Sequence, residues 1–324
     1  MSQQHRHYVI LLLDGFSTLS FSAIIETLTR ASEVSGDSMA TYDLVGGSDA
    51  MLATSSTGIE VKCGVSLEQL LDKPVGTQAG IFVCCGKDVL QKDRKALTSY
   101  LRRADRQNRY IYGVDSATWI LAEAGILNGS KAAVHWRAKS AFNERFPDVE
   151  ASNRIYQIAG NITTCAGELA TIDMMLTVLQ RDFPEVRPST VLNEMHHAYP
   201  RSENSVQPGD QLERTRNYGA PIQRVVGIMA QNLEDPLPIS DIASQVGVSA
   251  RQIERIFAKN LNASPVKYYR TLRLESAIQL VEHTDMQLFE IAVATGFSTT
   301  SQLSRAFRSE FGATPSELRR ANRR

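Results

Sequence analysis

Two stretches near the C-terminus share one pattern, Asp241-Ile-Ala-Ser-Gln-Val-Gly-Val-Ser249 and Glu290-Ile-Ala-Val-Ala-Thr-Gly-Phe-Ser298. Each places an acidic residue and an Ile-Ala pair before a turn glycine and a small polar residue. This order is typical of a helix-turn-helix. The match continues at an offset of 50 with the pairs Arg255 and Arg305, Phe257 and Phe307, and Arg270 and Arg320. Two units about 50 residues apart predict two recognition helices on one scaffold, and therefore binding to duplex DNA.

The second helix of each unit has side chains suited to reading bases. Ser249 is a natural N-cap for a helix that runs to about Lys259. Arginine can bind both guanine acceptors and glutamine can read adenine. After the apolar positions of both helices are assigned to the core, the predicted DNA-binding residues are Arg251, Glu254, Arg255, Thr300, Ser301, Gln302 and Arg305. The alternative is a solvated charged face, which the repetition of the motif disfavours.

Composition bounds the class of protein. The chain has 324 residues, of which 43% are hydrophobic and 22% charged, which is typical of a soluble protein with two or three domains. Because there is no apolar run of about 18 residues and no apolar signal core, we expect no membrane span and a cytoplasmic location. The four cysteines lack CxxC spacing, so we expect free thiols and neither a metal nor a cofactor.

The net charge of zero conceals an asymmetry. Residues 218–324 contain 13 Lys and Arg residues against 10 Asp and Glu residues. This modest excess, which ends in an arginine-rich tail, favours a nucleic-acid partner at the C-terminal end of the chain.

The first half of the chain alternates strands with helices. Apolar runs ending in turn residues predict strands at 8–13, 42–45, 81–85, 110–114 and 163–165. Helical spacing follows several of these runs, so we predict an α/β sandwich with a mostly parallel sheet, followed by an all-α domain with two helix-turn-helix units. Ligands of such sheets bind at the carboxyl ends of the strands, which here fall at Asp14-Gly15, Cys85-Gly86 and Asp115-Ser116.

A polar, turn-rich stretch at Pro200–Asp210 indicates the start of a linker. The predicted domains are residues 7–190 for sensing and dimerisation, 191–217 for the connection, and 218–324 for DNA binding. Within the last domain the two helix-turn-helix units are predicted at about 239–259 and 288–309.

Residues 222–320 resemble the DNA-binding domain of AraC/XylS-type transcriptional regulators. The motifs that carry the resemblance are Ser249-x-Arg-x-Ile-x-Arg-x-Phe257, Tyr268-Tyr-Arg-x-x-Arg273, Ile291-Ala-x-x-x-Gly-Phe297 and Arg305-x-Phe307-x-x-x-Phe311-Gly-x-x-Pro315. Leu303 departs from the phenylalanine usual in the family, which is an exchange of core residues. The resemblance implies two helix-turn-helix units joined by a long helix, here about 266–283, that enter successive major grooves.

Residues 8–185 resemble the ThiJ/PfpI fold, a glutamine-amidotransferase-like sandwich. The matching stretches are Leu12-Leu-Asp-Gly-Phe16, Gly113-Val-Asp-Ser-Ala117, Leu121-Ala-Glu-Ala-Gly125, His135-Trp136 and Thr164-Cys-Ala-Gly167. This fold ahead of an AraC-type domain is similar to the GlxA group of regulators, so the resemblance covers nearly the whole chain.

The resemblance implies a cysteine nucleophile on a strand-to-helix elbow, tuned by an acid and a histidine. In this chain the nucleophile position is Asp115, the acidic position falls near Ser20, and the neighbouring histidine position is Ser116. These three departures predict that the domain is not an enzyme. A hydrolytic pair of Ser116 with His135 and a redox pair of Cys84 with Cys85 are the alternatives.

A pocket without its nucleophile can still bind a ligand. A carboxylate at Asp115 favours cations, and nearby tryptophans suit a quaternary ammonium unless they are ordinary core residues. The predicted effector-binding residues are Asp14, Cys85, Gly86, Asp115, Ser116, Trp119, His135 and Trp136. Resemblance to the group implies a nitrogenous effector, possible classes being an amino acid such as arginine or a quaternary ammonium such as glycine betaine or carnitine.

The sequence therefore predicts a one-component transcriptional regulator, an activator that recruits RNA polymerase and acts as a homodimer. One alternative is an active ThiJ/PfpI-type hydrolase or hydratase fused to a DNA-binding module. The other is an architectural DNA binder with an inert dimerisation domain.

Overall fold

The computed structural model describes residues 6–35, 40–46, 51–73, 75–76, 79–86, 94–197, 200–207, 215, 218–284 and 286–322. The chain forms two compact units. The first comprises residues up to 135 together with 146–207, and the second comprises 136–145 together with 208–324.

The first unit is an α/β sandwich. Its strands are β1 (Arg6–Leu12), β2 (Ala40–Gly46), β3 (Leu52–Thr54), β4 (Glu60–Lys62), β5 (Val65–Ser66), β6 (Gly80–Cys85), β7 (Ile111–Asp115), β8 (Lys131–Ala133), β9 (Glu150–Ser152), β10 (Tyr156–Ala159) and β11 (Ile162–Cys165). Its helices are α1 (Thr18–Ser35), α2 (Leu67–Leu71), α3 (Lys95–Arg106), α4 (Ala117–Glu123), α6 (Ala170–Asp182) and α7 (Pro188–Glu194). The segment between α4 and α6 also contains a 3-10 turn (Trp136–Ala138) and α5 (Lys139–Arg145), which belong to the second unit.

Seven strands form one sheet in the order β10-β11-β7-β6-β1-β2-β5. All neighbours are parallel except the edge pair of β10 and β11, which confirms the predicted mostly parallel sheet. The central strands are buried on both faces, as expected where helices cover a parallel sheet. The register pairs Leu12 with Cys84 and Cys85 with Asp115. The carboxyl ends of β1, β6 and β7 therefore meet at one edge of the sheet.

The remainder of the second unit is helical. Its helices are α8 (Ala220–Gln231), α9 (Ile239–Val246), α10 (Ala250–Leu261), α11 (Pro265–His283), α12 (Leu288–Ala294), α13 (Thr300–Phe311) and α14 (Pro315–Asn322). The pairs α9–α10 and α12–α13 are the two helix-turn-helix units, and α11 lies between them in the chain. None of the helices in the described ranges is both long and apolar enough to cross a membrane.

Side-chain caps fix where the two recognition helices start. The Ser249 hydroxyl accepts a hydrogen bond from the N–H of Gln252 at 3.2 Å, as the sequence predicts. In the second helix-turn-helix the capping residue is Thr299, whose hydroxyl accepts a hydrogen bond from the N–H of Gln302 at 3.1 Å. The cap lies two residues after Gly247 in the first helix-turn-helix and three residues after Gly296 in the second. This one-residue difference explains why the repeat has an offset of 49 up to the turn and of 50 after it.

Residues 200–207, which we call the strap, are hydrogen-bonded to the first unit. The strap carbonyl of Ser205 accepts from the N–H of Ile155 at 2.9 Å. Gln207 donates its own N–H to the carbonyl of Asn153, and its side-chain amide donates to the carbonyl of Val134, both at 2.9 Å. The part of the predicted linker nearest the first unit is thus held along its surface.

Candidate DNA interface and effector site

All seven predicted DNA-binding side chains are exposed. In α10 these are Arg251, Glu254 and Arg255, and in α13 and its first turn they are Thr300, Ser301, Gln302 and Arg305. The opposite face of each helix is anchored by a leucine or isoleucine and a phenylalanine that are fully buried, namely Ile253, Phe257, Leu303 and Phe307. Each helix thus has a fixed orientation that presents its polar side to solvent.

The long helix α11 holds the second helix-turn-helix in position through Arg273. The guanidinium donates to the carbonyls of Thr295 and Gly296 at 2.8 and 2.6 Å and lies 4.2 Å from the ring centre of Phe297. Burial lowers the pKa of Arg273 below its ordinary value. Because these carbonyls belong to the turn before α13, Arg273 fixes the position of that turn.

The turn of the second helix-turn-helix also packs directly against the segment that precedes the first helix-turn-helix. A Cβ placed on Gly296 would lie 2.5 Å from the carbonyl oxygen of Leu233 and 2.8 Å from that of Glu234. The equivalent glycine of the first helix-turn-helix is Gly247, and a Cβ placed there would have no neighbour within 4 Å. The turn glycine therefore has a packing role in the second helix-turn-helix and a purely conformational role in the first.

A groove of about 640 Å³ runs beside the second recognition helix. Its lining includes Gln302 and Arg305 of α13 together with Arg270 and Arg273 of α11. Arg270 is exposed, unlike its helix neighbour Arg273. The sequence motif contains both arginines and gives no signal that distinguishes the exposed one from the half-buried one.

In the first unit, Asp115 ends β7 in a left-handed backbone conformation with φ of 62°. A non-glycine residue in this region is strained, and such strain is concentrated at functional sites. The conformation is that of the elbow implied by the family resemblance. The Asp115 side chain is half-buried, and a Cβ placed on Gly167 would lie 2.9 Å from its carboxylate oxygen Oδ2.

Ser20, near which the family resemblance predicts the acidic position, carries a hydroxyl with a structural partner. Ser20 of α1 is 1% exposed, and its Oγ accepts the backbone N–H of Glu168 at 2.7 Å. Glu168 itself has a φ of 52°. This hydrogen bond joins α1 to the turn that follows β11, directly beside Gly167, and it was not foreseen from the sequence.

The structure places the other predicted effector residues in two groups. Half-buried side chains at or near the strand ends are Asp14, Ser116 and His135. Asp14 accepts the N–H of Thr54 at 3.1 Å, and its carbonyl accepts the N–H of Gly86 at 3.4 Å. Fully buried are Cys85 and Trp119, the latter packed edge-on against Phe146 at 5.8 Å.

Trp136 falls in the other compact unit. It starts the 3-10 turn, and the guanidinium of Arg137 lies 4.9 Å from its ring centre. The sequence places Trp136 next to His135, but the boundary between the two units runs between them.

The thiols of the first unit are held in the protonated form. Burial raises the pKa of Cys165 to about 12, and burial together with the nearby Asp115 carboxylate raises the pKa of Cys85 well above its ordinary value. Burial also raises the pKa of Cys84. Because the thiolate is the nucleophile, this environment is the opposite of the one that activates a catalytic cysteine.

We expect iodoacetamide at pH 7.5 to leave Cys84, Cys85 and Cys165 unmodified in the native protein. The raised pKa values leave almost no thiolate at this pH, and the sulfurs are buried. Mass spectrometry after timed alkylation measures the outcome, with urea-unfolded protein as the positive control. Rapid native alkylation of Cys85 would contradict the description of these residues as packing thiols.

Comparisons with known proteins agree with this arrangement. Residues 242–321 match the family model described as a helix-turn-helix domain, and residues 6–181 match that of the DJ-1/PfpI family. The chain is 32% identical to the HTH-type transcriptional regulator CdhR of Pseudomonas aeruginosa, over 95% of this chain and 90% of CdhR. It is 30% identical to the HTH-type transcriptional regulator GlxA of Rhizobium meliloti, over 96% of this chain and 94% of GlxA.

Among solved structures, an AraC family transcriptional regulator from Pseudomonas putida has the same fold over 59% of this chain and 99% of its own, with a TM-score of 0.50 and 20% identity. The two family models and the nearly full-length relatives together identify the protein. The chain belongs to the AraC-type helix-turn-helix transcriptional regulators that have an N-terminal DJ-1/PfpI domain, and it is a DNA-binding protein.

Proposed function

We propose that this regulator binds a small cationic or nitrogenous metabolite at the strand ends of its first unit and changes promoter occupancy in response. The observation that carries the proposal is Asp115, a carboxylate held at the family's strained nucleophile position. As an activator it would recruit RNA polymerase, and as a homodimer it would bind two half-sites of an operator.

Catalysis is disfavoured because each implied chemical role has been replaced. Asp115 cannot form a thiolate, and Ser20 cannot act as the implied acid. The closest thiol in the sheet register, Cys85, is buried and protonated. We therefore expect no hydrolase, hydratase or deglycase turnover. Turnover lost in Asp115→Ala or Ser116→Ala would favour the enzyme alternative instead.

The charge at the strand ends favours a cationic ligand. Asp115 ends β7 and Asp14 follows the end of β1 by two residues, and these two strands lie on either side of β6. Two half-buried carboxyl side chains therefore lie at one edge of the sheet. Charge interactions are stronger at partly buried sites than in water. Carboxylates at such a site favour an ammonium or guanidinium group as the ligand.

We expect Asp115→Asn to weaken binding of a cationic effector about tenfold or more, because a charge-assisted contact contributes roughly 1.5–3 kcal/mol. Calorimetry on the full chain would compare choline, arginine and betaine with neutral isosteres such as 3,3-dimethylbutanol. The isosteres provide the control, since their affinity should not depend on the carboxylate. Equal affinities of both proteins for every cation would remove Asp115 from the site.

Ligand and operator should also affect each other. A ligand shifts an equilibrium only by binding the two states with different affinities, and the coupling is reciprocal. Operator DNA should therefore change effector affinity by the factor by which effector changes operator affinity. A ligand that binds without altering operator affinity would instead support the architectural alternative.

A further inference from the structure

A second pocket in the first unit contains none of the predicted effector residues. It has a volume of about 350 Å³ and lies between α6, α7 and the strap. Its lining mixes apolar side chains, including Leu176 and Leu192, with uncharged polar ones, including Gln180 and Asn193. This size and mixture fall in the range of small-molecule sites, roughly 300–1,000 Å³.

The floor of this pocket is a buried ion pair. Asp173 of α6 is 1% exposed and accepts three hydrogen bonds from Arg201 of the strap. The donors are the backbone N–H at 2.6 Å, Nε at 3.0 Å and Nη2 at 2.7 Å. The negative charge is therefore already compensated within the protein. Arg201 is about a third exposed and retains Nη1, which has no hydrogen-bond partner in the part of the chain that the structure describes.

His197 supplies an unsatisfied polar atom at the same place. Its Nε2 is shielded from solvent and has no hydrogen-bond partner among the described residues. The nearest acidic oxygen, Oδ1 of Asp173, is 4.0 Å away, too far for a hydrogen bond. A buried polar atom left without a partner is unfavourable, and native proteins keep few of them.

We propose that this pocket binds a small carboxylate-bearing metabolite. The ligand carboxylate would accept hydrogen bonds from Nε2–H of His197 and Nη1–H of Arg201, which satisfies both donors. Its carbon chain would lie against Leu176 and Leu192. The charged lining residues are Asp173 and Arg201, which already form an ion pair with each other. The two unused donors, Nε2–H of His197 and Nη1–H of Arg201, therefore determine the preference for a carboxylate.

This site goes beyond the proposed cation site at Asp115 and differs from it in ligand charge. One of its two donors, Arg201, belongs to the strap, which is hydrogen-bonded to the rest of the first unit. A ligand held by Arg201 would favour the strap conformation in which the Asp173 ion pair is formed.

The test is ¹⁹F NMR of 3,3,3-trifluoropropionate titrated into the full chain without DNA. We expect saturable binding to the wild type and at least tenfold weaker binding to His197→Gln. His196→Gln is the matched control, because the adjacent His196 is exposed and does not line the pocket. Its affinity should stay within twofold of the wild type. The neutral analogue 3,3,3-trifluoropropionamide should bind at least tenfold more weakly than the acid.

Three outcomes would each overturn the proposal: no saturable binding, equal affinity in His197→Gln, or equal affinity for the amide. Circular dichroism of the variants establishes that they are folded. The readout uses neither DNA nor a cationic ligand, so its failure would leave the Asp115 proposal intact. Failure of the Asp115→Asn experiment would equally leave this pocket untouched.

Discussion

Replacing Gly296 by alanine is expected to destabilise the second helix-turn-helix by about 2–5 kcal/mol. The left-handed backbone, with φ of 69°, costs an L-residue roughly 1–2 kcal/mol. The new methyl group would also overlap the carbonyls of Leu233 and Glu234, and overpacking costs roughly 1–3 kcal/mol. Backbone atoms cannot move aside as a flexible side chain can, so the turn and α13 must shift.

Hydrogen exchange measured by mass spectrometry would detect this local loss of stability. Peptides from α12 and α13 should exchange about 30-fold faster or more, since each 1.4 kcal/mol corresponds to a factor of ten. Gly247→Ala is the matched control, because it introduces the left-handed strain without a clash. Operator affinity should fall further for Gly296→Ala than for Gly247→Ala. Equal effects of the two variants would refute the packing role of Gly296.

Removing Arg255 and Arg305 together should weaken specific operator binding by about 2–6 kcal/mol. Each arginine occupies the same position in its repeat and is exposed on a recognition helix. One arginine-to-base contact contributes roughly 1–3 kcal/mol of discrimination, and contributions from independent sites add. Fluorescence anisotropy with a labelled operator, compared with the two single variants, measures the loss.

Arg224→Ala is the control for loss of charge alone. Arg224 is exposed on α8, outside both recognition helices, and its removal should change operator affinity by less than threefold. Binding by the wild type should weaken steeply as salt rises, because phosphate contacts release counterions. Full operator affinity in the double variant would show that the recognition helices have been assigned to the wrong segments.

The local features of the second unit were predictable because they depend on short-range patterns. Helix spacing and the repeat identified both recognition helices, and Ser249 was recognisable as a cap from its position before an apolar face. The cap of the second recognition helix could not be assigned from the sequence alone. Ser298 matches the repeat, but the longer turn makes Thr299 the capping residue.

The strand-end candidates show where such patterns stop being informative. The sequence correctly grouped Asp14, Cys85 and Asp115 at one edge, because parallel strands share a direction and their register follows from burial. It could not tell that Trp119 packs in the core or that Trp136 belongs to the other compact unit. The position of a residue next to another in the chain does not reveal to which of the two compact units it belongs.

By itself the sequence determined the two architectures, the duplicated helix-turn-helix motif and the aspartate at position 115, where the family resemblance implies a cysteine nucleophile, since these follow from periodicity and residue identity. Only the tertiary structure decided that Gly296 is a packing residue, that Arg273 binds the turn before α13 while Arg270 is exposed, and that Asp173, His197 and Arg201 meet. These facts depend on contacts between distant segments. The burial of His197 Nε2 and its distance from Asp173 are determined by the whole fold.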